Sequence, residues 1–172
     1  MVSQWFNTEA DIDLIRLRGT VVVIEAFQML CPGCVSHGLP QAQAIHDMFP
    51  RDQVSVIGLH SVFEHHAAMT PTSLEAFLHE YRIAFPVGVD REGEGASPQT
   101  MAAYEMRGTP TLVLIDCKGN RRAQYFGQVQ DLRIGYDIAT LLNETNVVPV
   151  QDVPANTDEV TGDDSGCRAP LR

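Results

Sequence analysis

A chain of 172 residues, 44% of them hydrophobic, has the length of one domain with additions and can bury a real core. Its 12 basic side chains face 22 acidic ones, a net charge of −10. That balance argues against nucleic acid and anionic membranes as partners, since both are bound through clustered positive charge. No apolar run reaches the roughly 18 residues of a membrane-spanning helix. Met1 to Asp13 has no basic and then apolar leader pattern, so the expectation is a cytoplasmic chain. Four cysteines are too few for a disulfide-stapled scaffold, and a close pair among them points to catalysis or metal binding.

In chain order, Val21 to Gln28 reads as a strand buried on both faces, which places it inside a parallel or mixed sheet covered by helices. Val35, Leu39, Ala42, Ile45 and Phe49 recur at helical spacing, and Gly38 and Pro40 interrupt that helix early and should bend it. Val54 to Leu59 is a second buried strand. Thr72 and Glu75 have capping-box spacing ahead of Leu74, Phe77, Leu78 and Tyr81, which predicts a helix over Thr72 to Tyr81. Phe85 to Val89 reads as a short strand, and Ser97 with Pro98 as the N-cap and first position of another helix. Thr111 to Ile115 is a third long strand. The turn Asp116 to Asn120 leads into Arg121 to Phe126 and closes a hairpin, and a last helix covers Asp131 to Leu142. From Thr145 onward, acidic residues lie among Pro, Gly, Ser and Thr. This divides the chain into a domain over 1–144 and a flexible acidic tail over 145–172. The order β-α-β-α-β-α-β-β-α predicts an α/β sandwich.

Cys31-Pro32-Gly33-Cys34 stands where the first strand meets the first helix. Two cysteines at this spacing can close and reopen a small disulfide, or they can hold zinc. A CxxC pair inside a βαβ pattern favours the redox chemistry. Glu25 lies in the middle of the first buried strand, where burial penalises its charge and raises its pKa. This suits a group that exchanges protons, and the bland alternative is a carboxylate that reaches an edge or pairs with a base.

Four anchors together resemble the thioredoxin superfamily, and within it the thiol–disulfide oxidoreductases of the TlpA and ResA type with their redoxin domain. Glu25 lies six positions before Cys31, the Cys31-x-x-Cys34 pair opens the first long helix, Gly108-Thr109-Pro110-Thr111 precedes the third strand, and Leu114-Ile115-Asp116 is followed by Gly119. The resemblance covers roughly residues 15 to 143 and implies a thioredoxin-like fold: a central mixed β-sheet flanked by helices, with an insertion after the second long strand. Two departures stand out. Met29-Leu30 replaces the family's usual Trp before the first Cys. Pro40 comes six residues after Cys34 where the family has five, which predicts a local adjustment of the helix around Ser36 to Gly38.

The thiolate, not the thiol, attacks a disulfide, and unpaired N–H groups at a helix N-terminus favour the thiolate. Pro32 suits the first helical position. Cys31 is therefore the expected nucleophile and Cys34 the resolving thiol, with Glu25 exchanging a proton with Cys34. The resemblance implies a cis Pro110 that brings the Thr109 backbone beside Cys31, where an extended substrate segment can pair. The implied substrate is a protein or small-molecule disulfide, with an unidentified electron donor. The implied redox group is the Cys31–Cys34 disulfide alone, with no other cofactor and no metal.

His60, His65 and His66 cluster after the second strand, and a solvated loop is the plain reading. His37 could complete Cys-x2-Cys-x2-His, but zinc would still need a fourth ligand from Cys117 or Cys167. Two rival functions follow: a peroxiredoxin-like peroxide reductase, and a metal-binding protein using Cys31, Cys34 and the histidines. Phe27-Gln28-Met29-Leu30 lacks the Pro-x-x-x-Thr that peroxidases carry before their reactive Cys, which lowers the first rival.

Overall fold

In the computed structural model, which describes residues 1–95 and 97–146, the run Val21-Val22-Val23-Ile24-Glu25-Ala26-Phe27 is a strand with every residue buried. Successive side chains of a strand point to opposite faces, so an apolar run with no polar alternation needs a cover on both sides. This strand, β2 (Val21–Phe27), takes the centre of a six-stranded sheet. The other strands are β1 (Val2–Phe6), β3 (Val54–His60), β4 (Val87–Asp90), β5 (Thr111–Ile115) and β6 (Arg121–Phe126), and the sheet order is β1-β4-β3-β2-β5-β6. β2 pairs parallel with β3 and β3 with β4, while β2 with β5, β5 with β6, and β1 with β4 are antiparallel. The sheet is mixed, as the resemblance implies.

One face of the sheet packs Val21, Val23 and Phe27 against α1 (Leu39–Met48), α2 (Pro71–Glu80) and α4 (Asp131–Asn146), through Leu39, Ala42, Ile45, Leu74, Leu78, Ile134 and Ile138. Each fully buried Val, Leu, Ile or Phe among them contributes about 1.5–3 kcal/mol. The other face carries Val22, Ile24, Ala26, Ile57 and Leu59. Its cover is thinner: Met101 of the short α3 (Gln99–Ala103), Met106, and Ile12 and Leu17 from the segment joining β1 to β2. A cavity of about 460 Å³ opens on this second face between Trp5, Ile12, Ile24, Ile57, Leu59 and Tyr104, and neither cysteine of the CxxC pair lines it.

Several expectations need correction. β1 was not expected. Its pattern Val2-Ser3-Gln4-Trp5-Phe6 has no clean alternation, and it forms an edge strand whose register against β4 shifts between Val2 and Gln4. α2 starts at Pro71, one residue before Thr72, and its N-cap is Thr70, whose hydroxyl accepts the Ser73 N–H at 3.2 Å. The Thr72–Glu75 spacing is therefore not a capping box. α3 has Pro98 rather than Ser97 at its N-cap, and the buried Asp90 carboxylate accepts the N–H groups of Thr100 and Met101 at 2.9 and 3.1 Å. β3 continues one residue past Leu59 and takes in His60, and α4 continues past Leu142. The acidic tail and Cys167 fall among residues 147–172, outside the described residues.

Candidate active site

The first helix begins directly after the loop that leaves β2, and its opening turns are irregular. Pro32 and Gly33 are helical, Cys34–Gly38 form a π-helical turn, and regular α-helix resumes at Leu39. The Leu39 N–H donates to the carbonyl of Cys34, five residues back. A π turn takes up one residue more than an α turn. This is the physical answer to the six-residue spacing between Cys34 and Pro40. The extra residue is absorbed before Pro40, so the proline still falls in the first turn of regular helix, where its missing N–H costs little.

Cys31 sits where an N-cap residue would. Its Sγ accepts the backbone N–H of Cys34 at 3.2 Å, and its carbonyl accepts the N–H of Val35 at 3.1 Å. The sulfur thus faces the unpaired donors at the start of the helix. Cys31 is partly exposed and Cys34 is fully buried, and both are free thiols. Burial, and then contact with Cys31, push the Cys34 thiol up to about 12.

The Thr109–Pro110 peptide bond is cis, and the Thr109 carbonyl lies 3.5 Å from Cys31 Sγ, within reach of its S–H. The loop is braced from behind: the Gly127 N–H, in a left-handed conformation at φ 82°, donates to the Pro110 carbonyl at 2.9 Å. The same 127–131 segment grips the π turn. Gln41 donates to the Val129 carbonyl at 3.0 Å and to the Asp131 carboxylate at 2.6 Å, and His37 Nε2 bonds to the Val129 carbonyl at 3.0 Å. Gln128 donates to His37 Nδ1 at 3.1 Å. Both ring nitrogens of His37 are therefore engaged by this loop, not by the cysteines.

Glu25 belongs to the helix-covered face of β2. Its carboxyl is buried, and Oε1 has no hydrogen-bond partner among the described residues. Burial raises its pKa to about 8. Lacking a β-carbon, Gly38 leaves the room that Oε1 occupies. A β-carbon there would collide with Oε1 and stand 3.1 Å from the Glu25 carboxyl carbon and 3.0 Å from Pro110 Cβ.

The structure thus brings Cys31, Cys34, Thr109, Pro110 and Glu25 to one end of β2. The plain reading of His60, His65 and His66 as a solvated loop holds for the last two and not for the first. His60 is fully buried at the end of β3, its ring 5.3 Å from that of Phe27, while His65 and His66 are exposed in the following loop. Two participants were not anticipated. Gln28 is buried with its amide unpaired among the described residues, and its carbonyl accepts the Cys31 N–H at 3.2 Å. Gly38 is the other, and the displaced Pro40 was the available signal for it.

No family model matches the chain. Among solved structures, it is similar to a thioredoxin-like superfamily protein, with 65% identity and a TM-score of 0.81 over 82% of this chain and 92% of that one. It is also similar to a thiol-disulfide isomerase from Corynebacterium glutamicum, with 54% identity and a TM-score of 0.79 over the same shares. NHL repeat-containing protein 2 of Gallus gallus is 31% identical over 128 residues, which are 73% of this chain, and the match spans only 16% of that protein. Fold, sheet order and these similarities agree, and the chain belongs to the thioredoxin-like superfamily, among its thiol–disulfide oxidoreductases.

Proposed function

We propose that the chain reduces disulfides of proteins or small molecules with Cys31 as nucleophile and Cys34 as resolving thiol. The observation that carries this reading is the Cys31 sulfur at the start of the helix, 3.2 Å from the Cys34 N–H and 3.5 Å from the Thr109 carbonyl. The Cys31 thiolate attacks one sulfur of the substrate disulfide, forms a mixed disulfide, and releases the other sulfur as a thiolate. Cys34 then gives up its proton and attacks Cys31 Sγ. The Cys31–Cys34 bond forms, the mixed disulfide breaks, and the second substrate thiolate leaves. Two electrons pass from the dithiol to the substrate.

Cys34 is the difficult partner, because its burial disfavours the thiolate. Ionised Glu25 serves as the proton acceptor, and the departing thiolate recovers the proton. Thr109 offers its backbone to an extended substrate segment by strand-like pairing, and Pro110 shapes that edge. In the cytoplasm a dithiol donor would return Cys31 and Cys34 to the reduced state. Insulin reduction supplied with dithiothreitol tests the reading: activity is expected in the parent and lost in Cys31→Ser. Equal activity in both proteins would overturn it. The Cys31–Cys34 potential, measured against glutathione, decides between reductant and oxidant, and a value near that of thioredoxin is expected.

A further inference from the structure

We propose that Gly38 is a positioning residue for Glu25: the extra residue of the π turn sets a bare Cα over the carboxyl and holds it in the dry site from which it serves Cys34. The inference rests on the thiol–disulfide reading above, and it adds to it a residue outside the Cys31, Cys34 and Glu25 set, Gly38, which closes the π turn ahead of Pro40.

Three independent observations converge. First, the helix takes its π form over Cys34–Gly38 only, and the stretch begins at the resolving cysteine and ends at Gly38. Second, Gly38 is not at a position that demands glycine for its backbone. Its φ of −59° and ψ of −53° suit any residue, so the reason for glycine there is space. That space is filled by Glu25 Oε1 on one side and Pro110 on the other. Third, the carboxyl oxygen beneath it is buried and meets no donor among the described residues. The carboxyl is thus held by shape rather than by hydrogen bonds, and shape at this point is set by Gly38.

The turn itself is fixed from outside. His37, in the turn, and Gln41, just after it in α1, both reach the Val129 carbonyl at 3.0 Å, while within the helix opening Ser36 Oγ donates to the Pro32 carbonyl at 2.7 Å. A methyl group at residue 38 therefore meets a turn that is held in place, and the carboxyl end of the Glu25 side chain is the part free to give way. Displaced from its dry site, Glu25 ionises more readily but no longer serves Cys34 well.

The experiment uses the full chain carrying Cys117→Ser and Cys167→Ser, so that only Cys31 and Cys34 react with the aromatic disulfide DTNB. The first release of thionitrobenzoate reports attack by Cys31, and the second reports resolution by Cys34. In Gly38→Ala the first phase is expected within about twofold of the parent. The second is expected to slow by about tenfold, with its pH midpoint lowered by about one pH unit. The carboxylic C=O band of Glu25 in infrared difference spectra, titrated over the same pH range, should move with it. Glu25→Asp, one methylene shorter, makes room for the methyl, so the double variant Gly38→Ala/Glu25→Asp should fold and resolve faster than Gly38→Ala alone. An unchanged infrared midpoint in Gly38→Ala would overturn the proposal. So would an equal slowing by Gly38→Ala in a Glu25→Gln background, because the effect would then run through Pro110. Absence of the two phases in the parent would instead sink the thiol–disulfide reading, and the infrared titration would still judge Gly38.

Discussion

The backbone N–H of Cys34 points at the sulfur of Cys31 from 3.2 Å, so the two cysteines differ in kind although only two residues separate them. Cys31 is partly exposed and faces the helix donors, whereas Cys34 is fully buried and its thiol is pushed up to about 12 by burial. Only one of the two can meet a substrate first. Cys34→Ser should therefore accumulate a stable covalent adduct with a disulfide substrate, and Cys31→Ser should accumulate none. Intact-protein mass spectrometry before and after reduction reads this directly, and an adduct on Cys34 in Cys31→Ser would reverse the assignment.

Glu25 makes stability fall as pH rises. Unfolded, it loses its proton near the ordinary 4.5, and folded it keeps the proton up to about 8 because burial penalises the charge. Between those values the native state holds the extra proton, so stability declines from about pH 4.5 and levels off only above about 8. The whole effect amounts to at most roughly 5 kcal/mol at 1.36 kcal/mol per pH unit. Glu25→Gln removes this charge and should flatten the slope, leaving the variant more stable than the parent above pH 8. Urea unfolding of the reduced protein at a series of pH values provides the comparison. Parallel pH profiles for parent and variant would show that Glu25 titrates normally.

The centre of the fold was legible because its residues have no other solution. The unbroken apolar run of β2 can only lie between two covered faces, and Asp116 to Asn120 can only be a tight connection. In that connection the Asp116 carboxylate accepts the Lys118 and Asn120 N–H groups at 3.0 and 2.9 Å. The site followed from the same logic, since Glu25 lies within β2, Cys31 follows β2 and Pro110 precedes β5, and the pairing of β2 with β5 brings them together. The periphery was harder to read. β1 is an edge strand held by pairing with β4, and its side chains alone do not announce it. His60 was placed in a loop by its polar neighbours, but its position in the parallel register opposite Phe27 buries it. Gly38 was legible as an irregularity and not as a contact, because nothing local says that Glu25 lies beneath it.

Thr70 tests the corrected start of α2. Its hydroxyl accepts the Ser73 N–H at 3.2 Å, and Pro71 follows in the first turn. Removing that acceptor leaves a donor at the helix start to solvent alone, and Thr70→Ala should cost about 1 kcal/mol. Thr72→Ala should cost only a few tenths, because Thr72 is exposed inside the helix and helix propensity favours Ala there. Denaturant midpoints of the two variants decide between the two N-cap assignments, and a larger loss from Thr72→Ala would restore the first.

His60 should make the protein acid-sensitive. The ring is fully buried against Phe27, and neither nitrogen has a partner among the described residues. Burial lowers its pKa from the ordinary 6.5 to about 4. The unfolded chain takes up a proton as pH falls through 6.5, and the folded chain resists until about 4. Over that window the unfolded state binds more protons, so stability drops as pH decreases, by up to roughly 3 kcal/mol. This runs opposite to the Glu25 effect, which makes the two separable in one pH series. His60→Leu keeps an apolar side chain of similar bulk and removes the titration, so its stability between pH 4 and 6.5 should exceed that of the parent. The parent and the variant should converge in slope above pH 7, where His60 is neutral in both states. A parent whose stability does not fall between pH 6.5 and 4 beyond the loss seen in His60→Leu would mean that the ring finds a proton partner in solution.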